Sequence, residues 1–412
     1  MRRKVALALA IGLFSAVPLT TVACKGTSNG AAPTTFDALD GAAFPSTRPL
    51  AKPPGGAVAL VGSSGDDTLR WVDLASGTVF FTAPAGRDPV DVDGPRIIAG
   101  DGDGDAGAAY ALLTYPNATI AAGPHASRGL SPRAGWFQKL AMDDLRVIGE
   151  VRVGALTGGA ALSDDGARLV GTRFDTRPLD AGTDAGTDPR SPLFVVATDD
   201  LAGGQSPPPA ERTACIAPNG IALTHPHGET AFVACYGEDA LLVVALDAPD
   251  GPLRVPLGAG TTPPVVGPLE VSLAPANDTL AVATALATDV RFFDVKTRAF
   301  VDGRVAKLGG QPQRMEWSGT KLAVPTVDAD ALVVLDGATG AVLASRTFDA
   351  SCVHPRQAAW SNSPPVTAVV VVCEGDATRG GALLVLAPDT LATQRAIPLP
   401  GHPTSFSLAR PR

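Results

Sequence analysis

Residues 312–348 read PQRMEWSGTKLAVPTVDADALVVLDGATGAVLASRTF, and this stretch decides the fold. Pro312 opens it. Met315 and Trp317 stand two apart, so their apolar side chains share one face of a strand. Proline suits the first residue of a strand when no ladder hydrogen bond needs its missing N–H. After a turn comes the β-rich run Lys321–Val324, an acidic link with Asp328 and Asp330, and a third strand that ends at Asp336-Gly337-Ala338-Thr339-Gly340. Val342–Phe348 closes the unit as a fourth strand.

The same unit recurs along the chain. Pro89, Pro218, Pro268, Pro312, Pro355 and Pro403 carry Val92, Ile221, Val271, Met315, Ala358 and Phe406 three residues on. At the fifth position after each stand Gly94, Leu223, Leu273, Trp317, Trp360 and Leu408. Thr157 starts a further copy, with Ala160 and Leu162 at these offsets. Turns such as Ser163-Asp164-Asp165-Gly166, His225-Pro226-His227-Gly228 and Ala274-Pro275-Ala276-Asn277 lead into Arg168–Gly171, Thr230–Tyr236 and Thr279–Thr284. Third strands end near Asp73, Asp143, Asp199, Asp247, Asp294, Asp336 and Asp389. Pro312 and Pro355 start successive copies 43 residues apart.

Four strands per repeat at forty-odd residues is the signature of propeller blades. The expected fold is an all-β, seven-bladed β-propeller of four-stranded antiparallel blades over residues 57–412, with insertions in blades two and three. The first blade, from Ala57 to Thr82, lacks a first strand, and Thr404–Ala409 follows the last start proline with no blade of its own. The C-terminal strand is therefore expected to join the first blade, which removes two open sheet edges. The pattern resembles YVTN-type propellers, whose blades read roughly Gly-x-x-Pro, strand, Ser-Pro-Asp-Gly, strand, acidic link and Asp-x-x-Thr-Gly; the tetrapeptide itself is absent.

The N-terminus carries a different signal. Met1-Arg2-Arg3-Lys4 is a basic stretch before the apolar run Val5–Leu19, too short to span a bilayer and of signal-peptide length. Thr21-Val22-Ala23-Cys24 resembles the lipobox of bacterial lipoproteins, with Thr21 where that motif usually has Leu. The resemblance implies a signal peptide at 1–23, lipidation of Cys24, and a flexible tether over 24–56, rich in Gly, Ala, Ser, Thr and Pro. An exported protein is expected, anchored to a membrane by its lipid and facing the periplasm or cell surface. The rival reading is an ordinary secretory leader. Net charge is −8 and the leader removes only bases, so nucleic acid is an unsuitable partner. A monomer is expected, with a protein, glycan or small molecule as ligand.

Four further cysteines fall into two copies of one pattern. Cys215-x-x-Pro218 precedes Cys235-x-Gly237-Glu238, and Cys352-x-x-Pro355 precedes Cys373-x-Gly375-Asp376. Four cysteines allow three pairings, and the repeat favours Cys215–Cys235 and Cys352–Cys373, hence an oxidising compartment. A shared metal site is disfavoured, because no Cys-x-x-Cys and no His at ligand spacing accompany them.

The link face of a propeller carries the loops from second to third strand and from fourth to first strand. The hairpin face carries the turns from first to second strand. The sequence places acids on the link face: Asp66, Asp67, Asp101 to Asp105, Asp175 to Asp188, Glu238, Asp239, Asp289, Asp328, Asp330, Glu374 and Asp376, with His354 and His402. Two residues past the start positions stand Asp91, Glu270, Arg314 and Gln357, with Glu316 deeper, a mixed-charge funnel at the channel mouth. The alternative is a solvated rim whose carboxylates cap strand ends. Asp101, Asp103 and Asp105 alternate with glycines in a way that can wrap Ca²⁺, although Ala106 and Leu112 do not fit an EF-hand. Gly102-x-Gly104-x-x-Gly107 matches a dinucleotide fingerprint, but its carboxylates repel pyrophosphate. Asp180 to Asp188 reads as a low-complexity insert. His225-Pro226-His227 is better read as a turn than as a metal pair.

No nucleophile elbow, P-loop or His-Glu-x-x-His is present. The leading expectation is a non-catalytic binding module acting through the acidic face. Its rival is a hydrolase resembling propeller lactonases, with Glu270, Arg314, Glu316, His354 or His402 around a metal at the channel mouth. Fold alone does not choose between them.

Overall fold

The computed structural model describes residues 57–63, 68–84, 96–101, 108–113, 134–141, 144–155, 157–174, 190–201, 206–248, 251–257, 266–363, 366–376 and 378–409. All lie in the compact unit Phe44–Arg412. The leader, Cys24 and the tether lie outside the described residues, as do Asp66, Asp67, Asp91, Asp103, Asp105 and the Asp175 to Asp188 stretch.

Seven four-stranded antiparallel sheets form the blades. The first joins β1 (Val58–Ser63), β2 (Thr68–Asp73) and β3 (Thr78–Pro84) to the innermost strand β28 (Pro403–Ala409). The second is β4 (Arg96–Asp101), β5 (Ala108–Leu113), β6 (Ala134–Ala141) and β7 (Val147–Ala155). The third is β8 (Thr157–Leu162), β9 (Arg168–Arg173), β10 (Ser191–Ala197) and β11 (Ala210–Cys215). The fourth is β12 (Pro218–Leu223), β13 (Thr230–Cys235), β14 (Ala240–Ala245) and β15 (Leu253–Pro256). The fifth is β16 (Pro268–Leu273), β17 (Thr279–Thr284), β18 (Asp289–Asp294) and β19 (Ala299–Lys307). The sixth is β20 (Glu316–Ser318), β21 (Lys321–Thr326), β22 (Ala331–Asp336) and β23 (Val342–Thr347). The seventh is β24 (Pro355–Ser363), β25 (Val366–Cys373), β26 (Gly381–Leu386) and β27 (Thr393–Leu399).

The middle strands are apolar without alternation because each blade is covered on both faces. In β22, Leu332 and Val334 pack towards the seventh blade with Val369 and Leu384, whereas Val333 and Leu335 pack towards the fifth with Val290 and Phe292. Every junction between neighbouring blades has such a core, and burial between blades is what holds the ring. The outer strands β19 and β23 are mostly exposed, and their sequences carry more polar residues accordingly.

The ring closes where the sequence implies. Val61 pairs with Phe406 and Val58 with Ala409 across β1 and β28. Phe406 is fully buried between the first and seventh blades, while Leu408, two residues on, is half-buried and lines the central cavity. Blade two departs from expectation. Its innermost strand is Arg96–Asp101, so the strand expected to start at Pro89 begins seven residues later.

The start prolines have a local consequence that the sequence does not advertise. Register shifts follow Thr157, Pro218, Pro268 and Pro355, so each of these strands bulges just after its first residue. Just before four of the prolines stand Ala217, Gly267, His354 and His402, all with φ between 50° and 60°. In blade six Pro312 makes an isolated bridge to Thr326, and regular pairing starts only at Glu316.

Both disulfides form as the repeat suggested: Cys215–Cys235 and Cys352–Cys373, with Cα separations of 5.9 and 5.1 Å. Each ties a cysteine three residues before a start proline to the end of the strand that follows the innermost one; Cys215 is also the last residue of β11. By chain entropy, bridges of this loop length contribute about 3 kcal/mol each.

Candidate functional site

On the link face, the acids hold backbone. Asp239 Oδ1 accepts the N–H groups of Val266 and Gly267 at 3.0 and 2.8 Å. Asp328 Oδ1 accepts Gln311 N–H at 2.5 Å, Asp330 Oδ1 accepts His354 N–H at 2.7 Å, and Glu238 Oε1 accepts Ile216 N–H at 3.1 Å. Each bond ties the link between second and third strands to the loop that delivers an innermost strand. Glu374 is held by Arg356, and Asp376 by Arg379. Asp289, expected on the rim, is fully buried at the start of β18. These groups form the capping rim of the sequence alternative, with strand ends rather than a ligand as partners.

His354 and His402 depart from expectation in the same way. Both occupy the left-handed residue before a start proline, a conformation that Asn, Asp and His adopt more readily than most residues. His354 Nδ1 donates to Gly375 O at 3.1 Å. Neither imidazole lines the central cavity. Asp101 ends β4, the innermost strand of its blade, whereas Asp103 and Asp105 lie outside the described residues.

The central cavity is about 920 Å³ and collects the remaining candidates. Its wall is made by the innermost strands, from two residues past their start down to the hairpin-face turns. Glu270, Arg314 and Glu316 line it, as do Ser272, Ser318, Ser361 and Ser407. Of the residues two past a start position, Gly159, Glu270, Arg314 and Gln357 line it. At that level Gly159 and Gly220 bring backbones together: a Cβ on Gly159 would lie 2.6 Å from Asn219 O, and one on Gly220 2.5 Å from Glu270 Cα. On the opposite side Arg314 bridges to Gln357 through the backbone. The innermost strands thus approach closely near the link face, and the cavity extends from there to the hairpin-face turns.

Gln357 lines this wall without being available to a ligand. Its Nε2 donates to Phe406 O at 2.8 Å and its Oε1 accepts Phe406 N–H at 3.0 Å. The amide copies a backbone bridge between the seventh blade and β28. Trp317 and Trp360 donate their indole N–H to Ser272 O and Glu316 O, so each spans two blades at the cavity wall.

Two hairpin-face turns meet beside the cavity. His225 Nδ1 lies 2.6 Å from Asp164 Oδ2 and His227 Nδ1 lies 2.8 Å from Asp165 Oδ2. The turn is that of His225-Pro226-His227, with a cis peptide at Pro226. Asn277 of the fifth blade grips it from the other side, accepting His225 N–H at 2.9 Å and donating to His225 O at 2.8 Å.

No known protein family matches the chain, and no curated protein matches it by sequence. Solved structures do. The periplasmic gluconolactonase PpgL of Pseudomonas aeruginosa superposes with a TM-score of 0.63 at 17% identity, over 86% of this chain and 99% of that one. A Bacteroides uniformis protein provisionally named a 6-phosphogluconolactonase gives 0.58 at 14% identity, over 86% and 100%. A functionally unknown protein of Desulfotomaculum acetoxidans gives 0.58 at 8%, over 86% and 99%. At these identities the likeness is one of fold.

The structure brings together Glu270, Arg314 and Glu316, leaves His354 and His402 outside the cavity, and adds Asp164 and His225, which sequence reasoning assigned to turns. The signal available for the latter was the substitution of His225-Pro226-His227 for the usual polar turn. Among the described residues, no group of three or more His, Cys, Asp or Glu is placed to hold a metal ion.

Asp165 yields a prediction. The Ser163 hydroxyl at 2.6 Å, then His227, then Ala167 N–H lower its carboxyl from 3.8 to about 2. A pKa depressed by folding adds stability that is complete above the unfolded value and lost as pH falls through the folded one. Asp165→Asn should therefore lower Tm at pH 6, and the gap from the parent chain should shrink as pH drops from 4 to 2. A gap independent of pH would contradict the assignment.

Proposed function

We propose that this chain is an exported, membrane-tethered propeller that takes a small hydroxyl-rich ligand into its central cavity and hydrolyses it there as a lactone. The observation that carries the reading is that Glu270, Arg314 and Glu316 line one cavity of about 920 Å³ together with several serines. Small-molecule sites are commonly of this size, with a few polar groups fixing orientation. A guanidinium beside carboxylates suits a neutral ester that becomes an oxyanion and then a carboxylate. The lactonase names of two fold relatives agree in substrate class. Export is supported by the signal-peptide-like residues 1–23 and by two disulfides, which persist in oxidising compartments. The lipobox-like Thr21-Val22-Ala23-Cys24 supports tethering.

The acidic link face is set aside as the ligand site because its described carboxylates are already held by backbone N–H groups or by arginines. The test is proton release by the purified chain on a panel of five- and six-membered sugar lactones. Turnover well above the buffer rate is expected, and Arg314→Met should lower kcat/KM by about 100-fold or more. A chain no faster than buffer on every lactone would refute hydrolysis, and saturable binding alone would leave a binding module.

A further inference from the structure

We infer that the central cavity selects an uncharged lactone and rejects one that carries a phosphate or a second acid group. This rests on the lactone reading above and narrows its substrate class. Among the described residues that line the cavity, the ionisable side chains are Asp164, His225, Glu270, Arg314 and Glu316.

Their charges do not cancel. Asp164, Glu270 and Glu316 set three carboxylates against one guanidinium, that of Arg314. His225 Nδ1 lies 2.6 Å from Asp164 Oδ2, so this pair carries −1 with a neutral ring and 0 with a protonated one. The described lining is therefore net −2 or −1, negative in either state of the ring.

These acids are accessible from the cavity side of the wall. The Asp164 side chain is 55% exposed, and Glu270 and Glu316 are half-buried on innermost strands. Glu270 Oε2 reaches towards the fourth blade, where it lies 2.8 Å from the position a Cβ on Gly220 would take. The missing side chain of Gly220 leaves the space that this carboxylate uses.

Arg314 has one anionic task in the reaction. Lactone hydrolysis develops negative charge on the carbonyl oxygen, and a guanidinium lining the site stabilises it. A phosphate ester adds about −1.5 to −2 of charge at pH 7, and holding it takes further cations or a helix N-terminus. The described helices are 3₁₀ turns at Thr198–Asp200 and Tyr236–Glu238, and neither lines the cavity. A second anionic group would instead meet carboxylates. The uncharged polar lining, such as Ser272, Ser318, Ser407 and Asn362, suits the hydroxyls of a neutral sugar.

The test compares the best-hydrolysed six-membered sugar lactone with its 6-phosphate ester, by proton release corrected for the buffer rate. In wild type, kcat/KM should favour the neutral lactone by about 100-fold or more at low salt, and the ratio should fall as ionic strength rises to about 0.5 M. Glu270→Gln and Glu316→Gln should each narrow the ratio by about tenfold, through a lower KM for the phosphate ester. A loss of folded protein lowers both rates and leaves their ratio, so the ratio reads charge alone. A wild-type ratio below about 100-fold, or one that neither variant narrows, overturns charge selection and leaves the lactone reading intact. Wild-type inactivity on every lactone overturns both.

Discussion

Removal of residues 403–412 is expected to unfold or aggregate the protein, although it takes only the last ten residues. β28 is the innermost strand of the first blade, paired with β1 from Val58 to Ser63. Without it, β1 becomes a bare edge on the channel side and the ring is open. Phe406 would leave the core shared with Ala359, Val370 and Val72, and Gln357 would lose both hydrogen bonds to the Phe406 backbone. Chain termini usually fray and tolerate change, which makes the demand specific. Phe406→Ala alone should cost about 3–5 kcal/mol, the range for phenylalanine truncation in cores. Urea unfolding of the point variant and solubility of the truncation check both. A truncated chain that melts like the parent would mean that the ring closes elsewhere.

The second large effect is expected at Asp289. Its carboxylate is fully buried and accepts from Thr284 Oγ1 at 2.5 Å, Arg291 Nε at 3.2 Å and Lys307 Nζ at 2.7 Å. Arg291 is nearly buried as well and also donates to Leu257 O. Asp289→Ala leaves that guanidinium without its counter-charge, which costs about 3–5 kcal/mol for buried pairs broken on one side. Replacing both, as in Asp289→Ala with Arg291→Leu, should cost less than the sum of the single changes, because the second removes the charge the first stranded. Additive losses in urea titrations would show that the two groups act independently.

The repeat was legible because its information is local. A proline at a strand start, apolar residues three and five later, and an Asp-centred turn all lie within one blade, and the strand Thr279–Thr284 falls where the sequence places it. Ring closure followed from counting strands, and the disulfides from two copies of one spacing. What escaped is what depends on partners far along the chain. Gln357 reads as a polar channel residue, yet its role is set by Phe406, 49 residues away. Asp239 and Asp330 read as a charged rim, but their N–H partners lie 27 or 28 and 24 residues on. His354 and His402 read as ligands because a sequence shows residue type and not φ. Blade two misled for a simpler reason: Pro89 is followed by Val92 and Gly94, a weak match to the period, while the actual strand starts at Arg96.

Ligand is expected to meet this propeller in the central cavity and not on the acidic link face. Hydrogen exchange tests that directly, measured by mass spectrometry with and without saturating hydroxy-acid product of the best-hydrolysed lactone. Protection is predicted in the innermost strands and hairpin turns, across 159–164, 221–225, 270–275 and 314–319, with no change at 238–239, 328–330 and 374–376. Protection at the latter links, with the innermost strands unchanged, would contradict it.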